Sequence, residues 1–306
     1  MTTSTTSPAR SPTVAISGTS QARHARRSQR SIAAVSRMGI LTVAAIYFLV
    51  PVYWLVIAAT KSDGSLINSP ALLLSRPQLF SNLRDLFSFE NDIFVRWALN
   101  SVLYSVVGAG VGTIIAGMAG YYLAMFRFKG REVVFSIIIA GMLIPTTALA
   151  LPLFLIFAKL HMADTYWAVF LSSIVSPFSL YVCRLSAQAF VPPELLEAGR
   201  IDGASDGRIF VSVSARLMFP GLATAFLTQF VSIWNNFLLP LVMLHSQNLY
   251  PLTLGLYTWN GTAVTDPLIQ QDIIVGSLVS VVPLLIAFLF LQRYWRTGLA
   301  AGSVKG

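Results

Sequence analysis

VPPELLEAGRIDGASDGRIFVSVSARLMFP, from Val191 to Pro220, is a polar island between two long apolar runs. Its surroundings decide how it is read. Hydrophobic residues make up 55% of the 306, charged residues 11%, and mean hydropathy is +0.70. Those values lie far outside the average of water-soluble globular chains, so the bilayer sets the element lengths.

Six stretches of about 20 apolar residues have no charge in the middle, the length a helix needs to cross a hydrocarbon core. They run over residues 38–60, 97–124, 133–158, 165–187, 217–244 and 273–292. Backbone groups in lipid have no water to pair with, so spans rich in Leu, Val, Ile, Ala and Phe must be helical. The sequence therefore predicts an all-α polytopic membrane protein with six transmembrane helices over residues 37–296. Residues 1–36 are rich in Ser, Thr, Ala and Arg without an acidic residue, which predicts a disordered cytoplasmic tail. That composition also resembles a transit or signal peptide, but the apolar run that follows is too long for a signal core and more spans come after it.

Loop charges set the orientation. With the N-terminus inside, the inner segments hold Arg10, Arg23, Arg26, Arg27, Arg30, Arg37, Arg127, Lys129, Arg131, Arg184, Arg200, Arg208, Arg216, Arg293, Arg296 and Lys305. Lys61, Arg76, Arg84, Arg96 and Lys159 remain outside, and His245 to Asp272 has no Lys or Arg. Both termini are predicted cytoplasmic, and the island with them. The same rule accounts for the net charge of +9, whose Lys and Arg form no groove or recognition helix for nucleic acid.

Chemistry is excluded more sharply than transport. The single Cys183 cannot form an intrachain disulfide, and no Cys/His cluster has metal-ligand spacing. GxxxxGK[ST], HExxH and GxSxG are missing, so the chain carries neither a phosphate loop nor a hydrolase signature. No span interior contains Asp or Glu. A charge at the bilayer centre costs about 2.5 kcal/mol or more, and ion-coupled carriers keep one for coupling.

Within the spans, Gly112, Ala116 and Gly120 are spaced for close helix packing, inside this chain or against another. Pro51 is expected to kink the first span, and Pro145, Pro152 and Pro177 lie in the third and fourth. Gln229, Asn235 and Asn236 sit in the fifth span. Polar side chains at such depth face protein or a water-filled path, which makes these three candidates for a solute pathway or for interhelical hydrogen bonds. The segment from Ser65 to Trp97 mixes aromatic, Leu and charged residues, which suits an interfacial helix at the outer membrane face or a contact with an external partner.

Within the island, Pro192 and Pro193 stop one helix and start a short one over Glu194 to Arg200. Gly203 supplies a sharp turn, and Ser205 or Asp206 caps a second helix through Arg208 and Phe210. Glu197, Ala198, Asp202, Gly203, Ala204, Ser205, Arg208, Ile209 and Phe210, followed by Pro220, resemble the EAA loop of ABC-importer permeases. Two positions depart from that pattern: Gly199 stands where a second Ala is usual, and Arg216 where a Pro is frequent. Phe94, Trp97, Asn100 and Ser101, the run from Gly120 to Arg131, Trp234 to Pro240 and the ending GLAAGSVKG are similar to the maltose-type carbohydrate permeases.

The resemblance implies a subunit of a bacterial inner-membrane importer for a sugar, oligosaccharide or polyol phosphate. It implies as partners a second permease, two ATP-binding subunits and an extracellular solute-binding protein. Residues 191–216 would be the coupling loop, with Glu197, Ala198, Asp202, Gly203, Ala204, Arg208 and Phe210 toward the ATPase. Gly302 and Lys305, in the cytoplasmic tail 297–306, would reach the ATPase too. No cofactor is expected on this chain, since ATP and Mg belong to the ATP-binding partners. The alternatives are an ion-coupled carrier or channel and a membrane-embedded enzyme, neither with a residue constellation behind it.

Overall fold

In the computed structural model, residues 18–74, 77–263 and 269–301 are described, and all their regular structure is helical. The helices are α1 (Gly18–Thr60), α2 (Asp63–Asn68), α3 (Leu79–Ser88), α4 (Ile93–Met125), α5 (Arg131–Gly141), α6 (Thr146–Lys159), α7 (Tyr166–Ile174) and α8 (Pro177–Phe190). After them come α9 (Pro193–Ile201), α10 (Asp206–Ile209), a π-helical turn (Phe210–Ser214), α11 (Ala215–Leu217), α12 (Phe219–Trp234), α13 (Leu238–Met243), α14 (Leu252–Thr262) and α15 (Ile269–Ala301). Val35–Thr60, Ile93–Met125, Tyr166–Phe190 and Ile269–Gln292 are each long and apolar enough to cross a membrane. Two further pairs qualify as bent spans: Arg131–Gly141 with Thr146–Lys159 at 98°, and Asp206–Leu217 with Phe219–Trp234 at 81°.

The chain divides at Trp54 into two units. In the first, α1 begins at Gly18, so residues 18–36 are helical where their composition predicts an unstructured tail. The stretch is rich in Ala, Arg and Gln, which are strong helix formers, and no Pro interrupts it before Pro51. The helix continues through Pro51 to Thr60.

The second unit, Leu55 onward, is organised on α4. Its small residues are the contact surface: a Cβ added at Gly120 would lie 2.7 Å from the Arg184 nitrogen of α8, and one at Gly117 would lie 2.8 Å from Leu222 of α12. The small-residue stripe thus lets α8 and α12 approach the α4 backbone within this chain, where close packing replaces the hydrophobic drive that lipid removes.

Three expected spans are broken rather than continuous. The third breaks at Met142 to Pro145, because Pro145 cannot donate to the helix ladder. In the fourth, α7 ends before Val175 and Ser176; the Ser176 hydroxyl accepts from the Ser179 N–H at 3.2 Å and Pro177 starts α8. In the fifth, α12 ends at Trp234 instead of running to residue 244. Two Asn side chains take over backbone groups there: Asn235 donates to the Val231 carbonyl at 2.9 Å and Asn236 accepts from the Leu239 N–H.

Two buried clusters mark opposite ends of α4. Near its start, Phe94, Trp97 and Tyr104 pack with Trp234, Leu252, Leu254, Trp259 and Val275. Near its finish, Ala116 and Tyr121 pack with Cys183, Ala187, Val191, Leu196, Ile209 and Met218. The expected interfacial segment supplies α3, whose Leu86 is fully buried while Phe80 is 88% exposed.

Candidate functional site

The polar island folds into a helix, a turn and a helix. Pro193 occupies the first turn of α9, where its missing N–H costs nothing. The C-terminus closes with Gly203 in the left-handed region at φ +76°: its N–H donates to the Arg200 carbonyl at 3.0 Å, and the Ala204 N–H to the Gly199 carbonyl at 2.9 Å. This pairing satisfies two carbonyls that a helix end otherwise strands, and glycine supplies the conformation without a steric penalty. The Ser205 hydroxyl then accepts from the Arg208 N–H and caps α10.

Beneath this turn the packing is apolar. Leu196 of α9 is 5% exposed and Ile209 of α10 is 2% exposed, both in the cluster with Tyr121 and Met218. Removing each from water is worth about 2 kcal/mol, so the element is fastened by its inner face. Phe210 stacks obliquely on Tyr121 with centroids 4.9 Å apart, and Tyr121 accepts a hydrogen bond from Ser214 at 3.3 Å. Arg200 donates to Asp206 at 2.8 Å and lies over Phe126, tying α9 to α10 and to the end of α4. The Asp206 hydrogen bond and charge raise the Arg200 pKa.

The outer face is different. Glu194, Glu197, Ala198 and Ile201 share it at helical spacing, and all four are exposed. Ile201 is 86% exposed, an unpartnered apolar side chain flanked by carboxylates. Asp202, Gly203 and Arg208 are exposed beside it, while Ala204 and Phe210 are half-buried toward the membrane helices. The structure therefore brings the seven predicted residues onto one projecting element, five facing outward and two seating it. Ile201 was not among them; its signal in the sequence is an apolar residue four after Glu197 within the polar island.

The two departures from the family pattern have distinct consequences. At Gly199, a Cβ would come within 2.8 Å of Ile209, so the glycine makes room for that side chain. Arg216 is exposed on α11, and the 81° bend falls between Leu217 and Phe219, with Pro220 in the first turn of α12.

The pathway candidates separate. Gln229 is 4% exposed: its Nε2 donates to the carbonyls of Ser173 at 3.0 Å and Ile174 at 2.8 Å, and its Oε1 accepts from Ser179 at 3.2 Å. It bridges the break between α7 and α8, which is the interhelical reading. Asn235 is exposed and Asn236 half-buried at the break after α12. Gly302 and Lys305 lie outside the described residues.

At the other end of α4, side chains grip a loop whose partners sequence could not name. Trp97 donates to the Gln247 carbonyl at 2.8 Å, Asn100 to those of Asn248 and Tyr250 at 2.8 and 3.0 Å, and Tyr104 to that of Leu249. Asp164 accepts from the His245 and Ser246 N–H groups at 2.8 and 2.9 Å and from the Ser246 hydroxyl. Burial pushes the Asp164 carboxyl up, but the hydrogen bonds from Ser246 and His245 outweigh it and hold its pKa low. Among the described residues no group of three or more His, Cys, Asp or Glu is disposed to hold a metal ion.

The fold defines a class: an all-helical protein with several helices long and apolar enough to cross a membrane. Over 88% of this chain and 98% of the other, the backbone matches a chain of a bacterial ABC transporter involved in the import of the acidic polysaccharide alginate, with a TM-score of 0.76 and 23% identity. This is the ABC-importer permease fold. The chain belongs to the family described as binding-protein-dependent transport system inner membrane component, which matches residues 108–297. It is 36% identical to the arabinooligosaccharides transport system permease protein AraQ of Halalkalibacterium halodurans, over 84% of this chain and 91% of that protein. It is 29% identical to the lactose transport system permease protein LacG of Rhizobium radiobacter, over 90% and 98%. The family comprises permease subunits of transporters and not enzymes.

Proposed function

We propose that this chain is one of two permease subunits in an ATP-driven importer of a carbohydrate, with α9 as its coupling helix. The observation that carries the reading is the two-faced island: Leu196 and Ile209 buried against the membrane helices, Glu197, Ala198 and Ile201 exposed. A helix fastened on one side and free on the other can receive a partner and pass its displacement into α8 and α12, a rigid-body device. Two ATP-binding subunits supply the energy, one docking on this face, and an extracellular solute-binding protein delivers the cargo. ATP and Mg act in those partners.

The membrane arrangement follows from charge. Counting each bent pair as one span gives six, and the Lys and Arg distribution supports both termini, α9 and the tail bearing Gly302 and Lys305 on the cytoplasmic side. Irregular backbone at membrane depth is tolerated where it lines protein or a water-filled cavity. The breaks at Met142 to Pro145 and at Asn235 to Phe237 therefore line the path, with Asn235 and Asn236 offering neutral amides to sugar hydroxyls. Arabinooligosaccharide and lactose permeases among the relatives support a neutral sugar or oligosaccharide as cargo.

Glu197→Lys reverses charge on the exposed face, and Gly203→Asp loads the left-handed turn. Each should abolish ATP-driven uptake in vesicles holding the whole transporter while leaving the chain at normal level in the membrane. Normal uptake in both would sink the coupling role. Uptake that survives ATP depletion and collapses with an ionophore would favour the ion-coupled reading instead.

A further inference from the structure

A cavity of about 700 Å³ with a mixed polar and apolar lining opens at the start of α4, with Glu90, Asp92, Arg96, Asn100, Tyr166 and Asn248 as its polar part. Its floor is already satisfied: Asn100 donates to the carbonyls of Asn248 and Tyr250 and accepts from Tyr166 at 3.1 Å. Its rim is exposed: Glu90, Asp92 and Arg96 share the cavity and make no ion pair with one another or with any other described residue. The Asp92 side chain does not cap α4 either. Glu90, Asn91 and Asp92 follow one another in the left-handed region at φ 46°, 55° and 62°, a sharp turn that carries the two carboxylates into this lining.

Depth decides what such a rim can meet. Between Arg96 and Arg127 the chain has no charged residue, so Arg96 marks where α4 leaves the hydrocarbon. Directly beyond it Leu99, Leu103 and Val106 form an exposed apolar stripe at helical spacing, 64%, 43% and 45% exposed. A ligand that fits both features carries a cation, an anion and a hydrocarbon chain. We propose that this cavity binds the headgroup of a zwitterionic phospholipid bearing a primary ammonium, a phosphoethanolamine. The phosphate takes the Arg96 guanidinium, the ammonium donates to Glu90 and Asp92, and one acyl chain lies along Leu99, Leu103 and Val106. A quaternary ammonium cannot donate those hydrogen bonds, and a glycerol headgroup leaves both carboxylates without a counter-charge. The inference needs α4 to span a bilayer and is independent of the cargo and of the coupling helix.

The test uses the full chain in nanodiscs of equal phosphatidylethanolamine, phosphatidylcholine and phosphatidylglycerol. Lipid retained through detergent extraction is counted by native mass spectrometry. The wild-type chain should retain phosphatidylethanolamine about tenfold over each of the others, the factor of one charge-assisted hydrogen bond at the low end of its range. Glu90→Gln with Asp92→Asn should remove that preference, and Arg96→Gln should lower retention of all three lipids. Soluble glycerophosphoethanolamine at matched concentration should not displace the lipid; displacement would show that the apolar stripe has no part and overturn the lipid assignment. Equal retention of the three lipids by the wild-type chain, a result that requires no variant to fold, would overturn the proposal.

Discussion

The two ends of α4 are held by different forces. At its start, Trp97, Asn100 and Tyr104 donate to four successive backbone carbonyls, those of Gln247, Asn248, Leu249 and Tyr250, and the loop cannot shift without stranding them. At its finish, Tyr121 meets an element seated by apolar contact, with Leu196 and Ile209 inside and Ile201 outside. Directional bonds fix register, whereas apolar seating leaves an outer face open to a partner. The difference separates an end held in register from the end where we propose a partner docks.

The sharpest break of that contrast is Ile201→Asp. Ile201 makes no buried contact to lose, so folding should change by no more than about 0.5 kcal/mol. Uptake should nevertheless fall about a hundredfold, the loss of a central docking side chain. A thermal melt beside a transport assay separates the two, and unchanged uptake would return α9 to being a solvated turn. At the other end Asn100→Ala should do the opposite. It strands the carbonyls of Asn248 and Tyr250, lowering stability by about 2 kcal/mol in denaturant titration while α9 keeps its reactivity to surface probes.

Gly199→Ala sharpens the seating itself. An alanine gains about 1 kcal/mol of helix propensity yet overpacks Ile209 by more, so a net loss of about 1 kcal/mol is expected, relieved when Ile209→Val is added. The smallest effect is acid sensitivity of the Asp164 tether. Its folded pKa is lowered below the ordinary 3.8, so its stabilising contribution is fully present above that value and lost as pH falls through the lower folded pKa. Amide exchange at His245 and Ser246 should be flat from pH 8 to pH 5 apart from its intrinsic dependence, with protection lost only in stronger acid.

Much of the architecture was legible because lipid imposes it. An apolar run such as Ile273 to Gln292 has one solution, a helix, and the stop and turn residues Pro193, Gly203 and Ser205 wrote the island's shape locally. What escaped was tertiary. The Gly112, Ala116 and Gly120 stripe announced a close approach but not that α8 and α12 make it. Gln229 has two readings in the sequence, pathway or interhelical, and its hydrogen bonds to the carbonyls freed at the break after α7 are visible only in the fold. The bend at Met218 is marked locally only by Pro220 in the first turn of α12, and the π-helical turn before it has no residue signature. Gly199 looked like a defect in a motif until Ile209 was placed beside it.

The coupling claim can be tested by proximity. Cys183 is buried, so Ala198→Cys adds the one exposed thiol among the described residues. In native membranes a short bismaleimide linker should join Cys at this position to a cysteine on an ATP-binding subunit, in a yield that changes when ATP is added. Cys placed at Leu143, exposed at the break of the third span, should give no such product. Equal yields at the two positions, or none at position 198 in an assembled and active transporter, would contradict the account.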